Sequence, residues 1–91
     1  MLNIQNTDKI KGYRISDDWV FGKVITHRWD YYIYINDNDG NQRKDIRLHR
    51  HLIRDDCYRL RYGSHHIDIT KGAIEDIELF SFYVSILIGG D

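Results

Sequence analysis

The chain has 91 residues, 42% apolar and 13% aromatic, with 13 basic side chains against 14 acidic ones, so it can fill one small core and its net charge of −1 does not draw it to polyanions. A single cysteine, Cys57, excludes an intramolecular disulfide framework and any paired-cysteine zinc or redox site, and the lack of proline excludes proline-rich recognition segments. The expectation is one domain spanning 1–91.

At the start of the chain Lys9 and Lys11 follow Asn3, Gln5, Asn6 and Asp8, which interrupt any apolar run, so no secretory leader is expected and the location is read as cytoplasmic. Period-two alternation of β-branched and aromatic residues then predicts strands over 10–15, 19–26, 29–35, 42–49, 57–62, 65–69 and 77–88. Turn chemistry separates them at Ser16, Asp17 and Asp18, at 36–41 around Asp39 and Gly40, at Gly63 and Ser64, and at Lys71 and Gly72. One helical turn is expected near 50–56. The fold class is therefore all-β: a small barrel or sandwich of six to seven short antiparallel strands.

The tail admits two readings. Ile74, Ile77, Val84 and Ile88 form one stripe of a helix over 73–88, with Thr70 as a cap and Gly89 as a stop. Phe80, Phe82, Val84, Ile86 and Ile88 alternate, however, and Tyr83 and Val84 are poor helix formers, which favours a strand over 77–88. A strand so long and apolar would need cover at a sheet edge, which either a homodimer through 77–88 or a bound partner would supply. The stretch from 79 to 88 is too short to span a bilayer, and no membrane partner is predicted. Glu75, Asp76 and Glu78 read as a solvated acidic stretch.

The hairpin from 29 to 49 gives the sharpest local expectation. An even-numbered loop puts odd positions of its first strand on one face with even positions of its second. Trp29, Tyr31, Ile33 and Ile35 then share a core face with Ile46 and Leu48, while Tyr32 and Tyr34 face outward beside Arg43, Asp45 and Arg47, with Arg28 and His49 at the far end. The same alternation turns Tyr58, Leu60 and Tyr62 inward and Arg59 and Arg61 outward. Charge converges on this region. Residues 42–66 hold seven cations (Arg43, Lys44, Arg47, Arg50, Arg54, Arg59, Arg61) against Asp45, Asp55 and Asp56, or +4, whereas 67–91 hold Lys71 against Asp68, Glu75, Asp76, Glu78 and Asp91, or −4. A neutral chain with a local basic, aromatic face suggests a defined contact. The expected partner-binding residues are Tyr32, Tyr34, Arg43, Arg47, His49, Arg59 and Arg61.

No motif is complete enough to predict catalysis, a cofactor or a metal. His49 and His51 would share a strand face, with His65, His66 and Asp68 within reach across a turn, but Arg47, Arg50 and Arg54 would repel a divalent cation. A calcium loop built on Asp37, Asp39 and Gly40 would place Ile35 and Ile46 where carboxylates are required.

The segment Tyr13 and Arg14, then Asp18-Trp19-Val20-Phe21-Gly22-Lys23-Val24-Ile25, followed by the Tyr- and Ile-rich run from 31 to 35, resembles the opening of the YopX-like phage and prophage proteins. The resemblance covers residues 10–35. It implies a mobile-element origin, a β architecture and no enzyme activity, and it carries over no catalytic residue. The chain has no counterpart of that family's later segments. The resulting expectation is a non-enzymatic, phage-derived module that binds and modulates a host macromolecule, as a protein inhibitor or adaptor, through the basic, aromatic face. The alternative is a single-stranded nucleic-acid-binding β-barrel, since arginine and tyrosine on an open sheet suit both stacked bases and protein contacts. A third reading is a metal-independent nuclease in which a histidine acts as base beside an arginine.

Overall fold

The computed structural model describes residues 7–28, 30–50 and 53–89. Its elements in chain order are α1 (Thr7–Ile10), β1 (Val20–His27), β2 (Asp30–Asn36), β3 (Gln42–Arg50), β4 (Cys57–Tyr62), β5 (His65–Thr70), α2 (Lys71–Glu75) and α3 (Ile77–Gly89). The strands form one antiparallel sheet in the order β1-β2-β3-β4-β5, an up-and-down meander with β1 and β5 as its edges. The fold is thus mostly β, with five described strands and helices beside them, and the sheet does not close into a barrel.

Two expected strands are not strands. Residues 10–15 contribute only the end of α1 and an isolated bridge from Arg14 to Val20. Residues 77–88 lie in α3, which removes the edge strand through which a dimer or a bound partner was expected. The reason is the sheet itself. Tyr31, Ile33, Ile35, Ile46, Leu48, Tyr58, Leu60 and Ile69 give it one predominantly apolar face that must be covered. A helix supplies that cover with Phe80, Val84, Leu87 and Ile88, which recur at helical spacing and are all buried. Phe80 stacks on Phe21 of β1, ring centroids 5.8 Å apart, so the layer extends from the last element to the first strand. Local chemistry starts the two C-terminal helices. Thr70 Oγ1 accepts from the amide of Ala73 to open α2, and Asp76 Oδ1 accepts from the amides of Glu78 and Leu79 to open α3.

The β2–β3 register confirms the expected faces but reaches them by another route. Tyr31 lies opposite Leu48, Tyr32 opposite Arg47, Ile33 opposite Ile46 and Tyr34 opposite Asp45. The loop is not even-numbered. Asn36 pairs with Gln42 while Ile35 pairs with Lys44, so Arg43 is an extra residue on β3 and the bulge restores the parity that the five-residue loop 37–41 would break. Gly40, at φ +85°, takes the left-handed position of that loop. A second bulge lies in β1, where Phe21 and Val24 both pair with core positions. Gly22 lies in it, and a Cβ there would come within 2.8 Å of the Asn36 side chain, which would have to shift. Trp29, assigned to the core face, lies outside the described residues, as do His51 and Leu52 of the expected helical turn, whose described remainder contains a turn at 55–56.

Candidate functional face of the sheet

Helices cover one side of the sheet, and no described element packs on the other. Strand parity and register define this open face row by row. One complete row crosses all five strands: Ile25 opposite Tyr32, Tyr32 opposite Arg47, Arg47 opposite Arg61 and Arg61 opposite His66. Beside it, His49 lies opposite Arg59 and Arg59 opposite Asp68, and on the other side Tyr34 lies opposite Asp45. The structure therefore gathers Tyr32, Tyr34, Arg47, His49, Arg59 and Arg61 on one surface. Lys44 belongs to the covered side, where its ammonium donates to Tyr62 Oη at 3.0 Å and lies 5.0 Å from the centre of the Trp19 ring.

Arg43 does not join them. As the bulged residue it turns back to the hairpin loop, and its Nε donates to Asp37 Oδ2 at 2.9 Å. Asp37 Oδ1 also accepts from the amides of Asp39 and Asn41. The Arg43 guanidinium and these amides hold the Asp37 carboxyl below the ordinary carboxylate range. A carboxyl lowered on folding contributes stability that is complete above its unfolded pKa, near 4, and is lost as pH falls through the lower folded value. NMR titration is therefore expected to give Asp37 a midpoint below 3.8, and Arg43→Ala should move that midpoint upward.

The electrostatics of the face differ from those expected of a basic patch. Arg47 donates to the Asp30 carboxylate, from Nε at 3.0 Å and also from Nη2, and its guanidinium carbon sits 5.9 Å from the centre of the Tyr32 ring. Arg59 donates to Asp68 through Nε at 2.8 Å and Nη2 at 3.2 Å, and this bidentate contact raises the Arg59 pKa. Arg50 and Arg54 pair with Asp55 and Asp56 at 3.8 and 3.7 Å. Among the described residues, Arg61 is the one arginine of segment 42–66 with no carboxylate paired to it. On the open-face rows of β2 to β5, Arg47, Arg59 and Arg61 thus meet Asp30, Asp45 and Asp68, three against three. The charge dipole of the sequence is neutralised locally by aspartates, of which Asp30 and Asp68 come from outside the basic segment. Their position opposite or beside an outward arginine follows from strand parity, which was the available signal.

His49 is held by its own chain. Its Nδ1 lies 2.9 Å from the Arg50 carbonyl, which makes Nδ1 the protonated nitrogen, and its Nε2 is buried with no partner. Of the histidines considered and set aside as metal ligands, His49 on β3 is separated by β4 from His65 and His66 on β5, and His51 lies outside the described residues. No group of three or more potential metal ligands occurs among the described residues. Cys57 is buried, and burial pushes its thiol pKa up, away from nucleophilic use.

A second exposed feature was hidden by reading 77–88 as a strand. Leu79, Phe82 and Ile86 stand on the outer side of α3, 38%, 57% and 50% exposed. No described helix is long and apolar enough to cross a membrane. No protein-family model, curated protein or solved structure significantly matches this chain.

Proposed function

We propose that this chain is a non-enzymatic protein-binding module whose contact surface is the open face of the sheet, centred on Tyr32, Tyr34, Arg47 and Arg61, with Arg59 and His49 at its margin. The neutralisation of the arginines by aspartates carries this reading. A single-strand groove needs a surplus of cations along the backbone path. Here the paired rows of β2 to β5 sum to zero, and two of the three guanidiniums, those of Arg47 and Arg59, are held by Asp30 and Asp68. Rigid tyrosines beside oriented arginines are the usual anchors of protein interfaces. Arg61 lies directly opposite Arg47, a like-charge pair that a partner's carboxylate would relieve. The surface ion pairs, each worth about 0–1 kcal/mol, are weak enough to be exchanged for contacts to that partner.

The resemblance of residues 10–35 to YopX-like proteins supports a phage-borne module acting on a host protein in the cytoplasm, as an inhibitor or adaptor. A nuclease is less well supported, because the His49 Nε2 that would take a proton is buried. Fluorescence anisotropy with random single-stranded oligonucleotides at low salt separates the two binding classes. The expected result is no saturable binding in the range of about 10 µM. Tight binding that falls with salt at a log-log slope of roughly −3 to −4 would instead assign the face to nucleic acid.

A further inference from the structure

From the edges of the sheet we infer that the outer edge of β5 pairs with β5 of a second copy of the chain, antiparallel about a two-fold axis at Ile67, so that two five-stranded sheets join into one. The two edges differ in kind. β1 is closed at its start by its own chain: the Gly12 amide donates to the Phe21 carbonyl at 2.7 Å, the Phe21 amide donates to the Tyr13 carbonyl at 2.9 Å, and Arg14 bridges Val20. The bulge between Phe21 and Val24 then breaks the ladder and carries the exposed Lys23. β5 has none of these devices. Its six residues include no lysine, proline or glycine, and it pairs with β4 without a break from Cys57 opposite Thr70 to Tyr62 opposite His65. Among the described residues no strand lies on its other side.

The turn before β5 determines which main-chain groups reach that edge. Tyr62 and His65 flank a two-residue loop, with Gly63 at φ +58° in its first position. A pair that closes such a loop exchanges both its main-chain hydrogen bonds, and bonded and non-bonded pairs alternate from there. Ile67 and Ile69 therefore bond to Leu60 and Tyr58, whereas His66, Asp68 and Thr70 aim their amides and carbonyls away from β4.

Self-complementarity selects the occupant and the register. His66 and Asp68 flank Ile67, with their side chains on the open face of the sheet and their main-chain groups at its edge. A two-fold axis at Ile67 sets His66 opposite Asp68 of the second copy, and Asp68 opposite its His66. Each pair exchanges both main-chain hydrogen bonds and places an imidazole, a donor in either charge state, beside a carboxylate. Arg59 holds Asp68 from the β4 side, and at 37% side-chain exposure the carboxylate keeps acceptor capacity towards the edge. Arg61, opposite His66, adds positive charge to the end of the row that meets this carboxylate. A shift of two residues either way would instead set Asp68 against Asp68 or His66 against His66. On the covered face the axis brings the partly buried Ile67 against its own counterpart, with His65 opposite Ile69. Six residues make a small interface, so the pair is in concentration-dependent exchange with the monomer.

Sedimentation velocity of the full chain from about 5 to about 500 µM reads this equilibrium directly, whatever the open face binds. The mass should rise from that of the monomer towards twice that value. His66→Pro removes an outward amide and no bond of the sheet itself, so it should hold the mass at the monomer with an unchanged far-ultraviolet circular dichroism. His66→Glu, which leaves the backbone intact and sets two carboxylates against each other, should weaken the dimer about threefold or more, and His66→Lys should tighten it about threefold. Monomeric mass throughout, or a dimer that withstands both His66→Pro and His66→Glu, would overturn the pairing. A dimer weakened by His66→Lys would overturn its register.

Discussion

Replacing Phe80 by alanine is expected to lower stability by about 3–5 kcal/mol, the range for emptying a buried aromatic site. The side chain is 1% exposed, stacks on Phe21 and bridges the helical layer to the edge strand of the sheet. A domain of this size has roughly 5–14 kcal/mol in all, so the loss would be visible in urea unfolding as a large fall in midpoint. Phe82→Ala, two residues away on the outer side of α3, is expected to cost much less in dilute solution, since Phe82 is 57% exposed. The strand reading of 77–88 would place Phe80 and Phe82 on the same face and predict similar losses. Comparable values for the two variants would therefore argue against the helix.

The second large effect lies in the central hairpin. Ile33→Ala and Leu48→Ala should each cost about 2–5 kcal/mol, because both side chains are 0% exposed in the layer between sheet and helix. Tyr32→Ala, on the open face, should cost clearly less, with loss of its contact to Arg47 and its edge contact to His27. The comparison tests register. A slip by one residue would exchange the two faces, and Tyr32→Ala would then be as damaging as the other two.

Much of this hairpin was legible in the sequence. Tyr31, Ile33 and Ile35 alternate with polar or aromatic neighbours, and only one parity puts them with Ile46 and Leu48. Burial of that set therefore fixes the faces whatever the loop does. The bulge at Arg43 was not legible, because the five-residue loop and the extra residue compensate each other, leaving the pattern on both sides intact. Its consequence falls on the site: Arg43 is lost to Asp37 while Arg47, Arg59 and Arg61 stay in place. The expected excess of positive charge also failed, since charge counted along the chain does not show that Asp30 and Asp68 arrive from neighbouring strands.

The tail was misread for a different reason. Nearly every residue from Leu79 to Ile88 is apolar, so period two and period 3.6 both find matches and neither discriminates. Length and context decide such a case. A run of that length exceeds most strands, Asp76 is placed to cap it, and a one-faced sheet of five strands requires a covering layer. With the helix in place, the residues that made the alternation look clean divide into two sets. Phe80, Val84 and Ile88 are buried, whereas Phe82 and Ile86 are exposed on the opposite side.

The central claim is that the open sheet face, with Arg61 as its unneutralised cation, engages a protein. It is tested most directly by affinity capture from nuclease-treated bacterial lysate, quantified in parallel for the wild type, Arg61→Glu and, as a control on α2 away from the sheet face, Lys71→Glu. The account predicts a discrete set of proteins retained by the wild type and by Lys71→Glu, and reduced about tenfold or more by Arg61→Glu, as expected for reversal of an interface anchor worth at least about 1.4 kcal/mol. An unchanged set with Arg61→Glu, or no protein retained by the wild type, would contradict it.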